Sequence, residues 1–86
     1  MAHKLFHVDI VSPDKSIYNG AIQSLVVPCE LGYLGVLADH APLVANIVRG
    51  KITLKKDSGE ILEISSKSRG FLEVNKNKAI LLLDSV

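Results

Sequence analysis

Three residue types able to act as nucleophile, base or ligand crowd into CELGYLGVLADHAPL, residues 29–43: Cys29, Tyr33 and His40. A thiol and an imidazole are the partners of a cysteine nucleophile and its base. No elbow motif surrounds Cys29, and no third group is placed to orient His40. A lone cysteine after a strand more often serves as a small hydrophobe. Metal binding would need His3, His7, His40, Cys29 or carboxylates to converge. Four residues of extended chain hold His3 and His7 about 13 Å apart, and no CxxC or helical HxxxH spacing occurs. His7 reads as a polar residue on a half-buried strand. Gly32 and Gly35 bracket GYLG, but no Lys-Ser/Thr pair opening a helix follows, so neither phosphate-cradling motif is met. The two glycines read as places of tight turning or close backbone approach. Lys51, Lys55 and Lys56 lack interleaved aromatics and read as a solvated strand face. Lys76 sits in a turn, yet Asn75 and Asn77 do not make it a carrier lysine. No catalytic residue, cofactor or metal is expected.

The elements that carry these residues are extended. In FHVDIV, Phe6, Val8 and Ile10 share one face while His7 and Asp9 take the other, the period of a strand. Ser12-Pro13-Asp14-Lys15 is a turn, since proline presets φ and aspartate bonds the backbone two residues on. Ser16–Asn19 and Ile22–Val27 read as separate strands about Gly20, with Pro28 ending the second. Tyr33–Leu37 and Leu43–Val48 flank the His-Ala-Pro corner. Lys51–Lys55 alternates, with Ile52 and Leu54 inward, and Asp57-Ser58-Gly59 turns it into Glu60–Ser65. Gly70–Val74 and Ala79–Asp84 complete the set around the polar turn Asn75-Lys76-Asn77. AILLLD is apolar on both faces and therefore central. Short strands with frequent turns indicate a β-sandwich or a barrel, which the pattern does not separate.

Composition bounds the function. Eighty-six residues form one domain, 1–86, and a hydrophobic fraction of 48% supports a folded core. With no tryptophan and 5% aromatics, Leu, Ile and Val must fill that core. A formal net charge of +1 offers no attraction to nucleic acid or an anionic membrane. One cysteine precludes an internal disulfide and fits a reducing compartment. No apolar run has the length of a signal peptide or a membrane span. Taken alone, the residues describe a small β module that works by contact.

The order FHVDIVSPDKSIYNG, SLVVPCELGYLGVLADHAPLV, RGFLEV and LLLD closely resembles the N-terminal domain of the epsilon subunit of F-type ATP synthases, from about Phe6 to Asp84. The resemblance implies a ten-stranded, two-sheet β-sandwich. It implies a non-catalytic rotor subunit of the central stalk, binding the gamma subunit and the c-ring in rotary, proton-driven ATP synthesis. With no transit peptide at the N-terminus, the expected place is the cytoplasmic face of a bacterial inner membrane, peripheral through the complex, a plastid-encoded gene being the other reading. Residue by residue, Leu31, Gly32 and Tyr33 match the loop facing the c-ring. Ser12, His40, Leu43 and Ala45 match positions facing gamma. A generic β-sandwich interaction module of another complex is the alternative. Four local departures concern turns: Ala38-Asp39 replaces Pro-Gly, Arg69 replaces a glycine and would be strained at positive φ, Cys29 replaces a glycine, and Lys76 replaces proline. Most family members continue into two helices, whereas this sequence stops at Asp84-Ser85-Val86. No ATP binding and no helix-mediated inhibition are therefore expected of it.

Overall fold

A computed structural model describes residues 4–86. These residues form eight strands and no helix: β1 (Phe6–Val11), β2 (Ser16–Cys29), β3 (Gly32–Leu37), β4 (Leu43–Ile47), β5 (Gly50–Lys56), β6 (Ile61–Ser66), β7 (Gly70–Asn75) and β8 (Lys78–Leu83). The all-β sandwich stands, with eight strands in place of ten. One reason is that the two strands read on either side of Gly20 are a single fourteen-residue strand, β2. Nor does Pro28 end it. The strand continues to Cys29, and the Pro28 carbonyl accepts the Val48 N–H at 2.9 Å.

Strand β2 belongs to both layers. Its first half pairs antiparallel with β1, from Phe6 opposite Ile22 to Val11 opposite Ser16. Its second half lies between β3 and β5. The register with β5 slips between Ile22 and Ser24, and such a bulge bends a strand. One layer therefore runs β2–β1–β8–β7–β4, and the other β3–β2–β5–β6. The path closes where Cys29 at the end of β2 meets Ile47 at the end of β4.

The alternation read in the sequence decides which side chains go inside. Phe6, Val8 and Ile10 from β1, Ile52 and Leu54 from β5, and Leu72, Leu81 and Leu83 from β7 and β8 are buried in one cluster. Strand β8 is flanked on both sides, by β1 and β7, yet only one of its faces is covered. Ala79, Leu81 and Leu83 are buried, while Leu82 is 48% exposed beside its partner Phe71. The apolar outer residues of AILLLD thus lie on an open face.

Candidate functional site: a cleft between the β2–β3 tip and β4

The β2–β3 hairpin turns through Glu30 and Leu31, with Cys29 opposite Gly32. Neither turn residue adopts positive φ; Gly32 does, at +120°. A side chain there would meet no atom within 4 Å, so glycine is required by backbone conformation rather than by space. The tip is tied down. The Glu30 N–H donates to the Asn46 carbonyl at 3.2 Å, and Asn46 Nδ2 donates to the Glu30 carboxylate at 2.9 Å. Leu31 stands fully exposed at the end of this fixed turn. Tyr33 lies opposite Pro28 in the ladder, and its hydroxyl sits 3.4 Å from where a side chain on Gly50 would begin.

Between this tip and β4 lies a cleft of about 470 Å³, lined by Cys29–Leu34 and Leu43–Asn46. It opens where β3 and β4, the border strands of the two layers, fail to pair with each other. The inward residues Leu34, Leu43 and Ala45 pack against the core and are partly uncovered here. Leu31, Gly32 and Tyr33 therefore share one cleft with Leu43 and Ala45.

The other two sequence candidates lie elsewhere. Ser12 closes the β1–β2 turn: its N–H donates to the Lys15 carbonyl at 2.9 Å, and its hydroxyl donates to the same oxygen at 3.3 Å. His40 follows a turn closed by its own N–H to the Leu37 carbonyl at 3.3 Å. Its Nδ1–H donates to the Ala41 carbonyl at 2.7 Å. Val11, next to Ser12, pairs with Leu82, whereas Asp39, next to His40, bonds Asn77 just before Lys78. Ser12 and His40 thus mark opposite ends of the β1–β8 ladder.

The thiol–imidazole reading fails on geometry. Cys29 pairs at one end of β3 and His40 follows the other end, about 16 Å away along the strand. Burial also pushes the Cys29 thiol up, away from the reactive thiolate. Among the described residues, no three His, Cys, Asp or Glu side chains are grouped to hold a metal ion. His3, considered as a ligand from sequence, lies outside the described residues. Gly35 was expected to turn or to allow close approach. It does neither, lying mid-strand opposite Val26 with nothing within 4 Å of where its side chain would start. Glu30, Leu34 and Asn46 were missed from sequence. Strands β3 and β4 bond different neighbours, so no cross-strand pattern signals that they border one cleft.

Comparison with known proteins agrees with this architecture. The family described as "ATP synthase, Delta/Epsilon chain, beta-sandwich domain" matches residues 5–86. The ATP synthase epsilon chain of Dichelobacter nodosus is 42% identical over 79 residues, covering 92% of this chain and 54% of that one. That of Leptospira borgpetersenii is 45% identical over 83 residues, covering 96% and 63%. That of Chlorobaculum tepidum is 41% identical over 85 residues, covering 96% and 93%. The chain thus spans little more than half the length of the first of these relatives and nearly all of the last. Two solved assemblies share the fold. A chain of the Euglena gracilis mitochondrial ATP synthase OSCP/F1/c-ring assembly superposes with a TM-score of 0.86 at 20% identity, covering 92% of this chain and 50% of that one. A chain of the Tetrahymena thermophila mitochondrial ATP synthase central stalk and c-ring superposes with a TM-score of 0.78 at 11% identity, covering 99% and 67%.

Proposed function

Since the chain belongs to the ATP synthase delta/epsilon β-sandwich family, we propose that it is a non-catalytic rotor component joining the gamma subunit to the c-ring. In this reading Leu31, Gly32 and Tyr33 meet the c-ring, and Ser12, His40, Leu43 and Ala45 face gamma. The complex then holds the chain at the cytoplasmic face of a bacterial inner membrane. The observation that carries the reading is the braced tip. Leu31 is an exposed apolar anchor on a turn fixed to β4 through Glu30 and Asn46, and Tyr33 is an exposed aromatic on the strand that leaves it. A joint that transmits torque needs contact groups whose geometry is locked by their supports. An aromatic ring with a wet hydroxyl suits such an anchor.

Co-expression with the gamma subunit of the same organism tests the proposal. The two chains should co-purify at equal stoichiometry. A folded chain that fails to bind gamma overturns the reading.

A further inference from the structure

Gly32, Gly35 and Gly59 would meet nothing within 4 Å if given a side chain. Gly50 differs. A Cβ there would lie 2.8 Å from Pro28 Cβ, 3.0 Å from Pro28 Cγ and 3.4 Å from the Tyr33 hydroxyl oxygen. Its nearest neighbours thus belong to two residues, and one of them, Tyr33, is the aromatic assigned to the c-ring.

Strand order explains how the three residues come together. Strands β3 and β5 lie on either side of β2, and neighbouring strands are about 4.8 Å apart. Tyr33 starts on β3 opposite Pro28 of β2, and its hydroxyl ends at Gly50, the first residue of β5. The phenol therefore lies across Pro28. Its support is fixed. The pyrrolidine ring is closed on the backbone, and the Pro28 carbonyl accepts the Val48 N–H at 2.9 Å just before β5 begins. The Tyr33 ring, 67% exposed, rests on one side and is open on the other.

We propose that Gly50 is a positioning residue for the c-ring contact: its bare backbone lets the Tyr33 phenol lie across Pro28, which sets the direction in which the ring meets its partner. The inference rests on Tyr33 facing the c-ring and names what aims it. A side chain held before contact loses less freedom on binding, so this support adds affinity without touching the partner. A methyl group on Gly50 has no room beside Pro28 Cβ. The pyrrolidine must shift, and the ring resting on it turns with it.

NMR of the free chain reads the position of the ring. Titration of the gamma-bound chain with detergent-solubilised c-ring reads its use. The parent should show a nuclear Overhauser contact between the Tyr33 ring and Gly50 Hα, with the Pro28 side-chain protons shifted upfield. Gly50→Ala should lose that upfield shift and weaken c-ring binding about tenfold, with gamma binding unchanged. Tyr33→Ala should weaken it at least as much. Adding Gly50→Ala to Tyr33→Ala should cost no more than about twofold further, because both act through one ring. A merely structural role for Gly50 makes the two losses multiply, and that result overturns the proposal. Parent-like binding by Gly50→Ala beside weak binding by Tyr33→Ala also overturns it, and leaves the c-ring reading intact. Parent-like binding by Tyr33→Ala overturns both, as does a chain that binds neither gamma nor the ring. If Gly50→Ala does not fold, Pro28→Ala carries the same test, since it removes the support and keeps the carbonyl that bonds Val48. Unchanged Tyr33 contacts and c-ring affinity in that variant overturn the proposal.

Discussion

Asp39 and Asn77 show how single residues set the loop that leads into β4. Both adopt positive φ, at 64° and 59°, and both are of types that tolerate it. The Asp39 N–H donates to Asn77 Oδ1 at 2.5 Å, and Asn77 Nδ2 returns a bond to Asp39 Oδ1 at 3.1 Å. Lys4 Nζ donates to the second carboxylate oxygen at 2.6 Å. The Lys4 hydrogen bond, then that of Asn77, holds the Asp39 carboxyl below the usual carboxylate range. A depressed folded value stabilises the fold above the unfolded value and loses that effect as pH falls through the folded one. Asp39→Asn keeps the turn conformation and removes the charge. It should melt slightly below the parent at neutral pH, and the gap should close on acidification through and below the ordinary carboxylate range. Melts across that range check this, and a constant gap rules it out. Asp39 and Lys76, which depart from the family's pattern in their turns, both take positive φ, at 64° and 50°. Arg69 does not, so the strain expected of it is absent.

At the scale of elements, two glycines in strands behave oppositely. Gly70 opens β7 opposite Leu83. A side chain there would run into the Leu82 carbonyl oxygen and come within 3.0 Å of Leu83 Cδ2. Backbone cannot move aside cheaply, so Gly70→Ala should destabilise by about 1–3 kcal/mol. Gly35→Ala meets nothing within 4 Å and should stay within about 0.5 kcal/mol of the parent. Urea unfolding of both variants measures the difference, and equal costs would contradict it. Glycine identity alone did not separate these positions, because what surrounds each is set by strands distant in sequence. Periodic elements were legible: β1 and β5 bury the residues that alternation selects, Phe6, Val8, Ile10, Ile52 and Leu54. The hairpin at Asp57-Ser58-Gly59 also forms as read, with Gly59 at φ +94°. The long β2 was not legible, since Gly20 signals a break that its pairing with Val8 overrides. The cleft was legible only through the family resemblance, which named several of its residues without showing that they meet.

On the scale of the whole molecule, one core serves both layers. Buried residues from β1, β2, β3, β4, β5, β7 and β8 form a single cluster, and β2 ties the layers covalently. No layer can keep its apolar face covered without the other. Unfolding should therefore be a single transition, with backbone circular dichroism and tyrosine fluorescence tracing the same curve. Separate midpoints would show that one layer survives alone.

The parallel pairing of β1 with β8, from His7 opposite Lys78 to Val11 opposite Leu82, has a consequence in time. A ribosome delivers β1 early and β8 near the end of this segment. Until then, the β8 side of β1 lacks its native neighbour. Contacts this distant in sequence must also bear the entropy of closing a long loop. Nascent chains should therefore hold an open, sticky first strand throughout synthesis of the domain, and complete the sandwich only once β8 has cleared the exit tunnel.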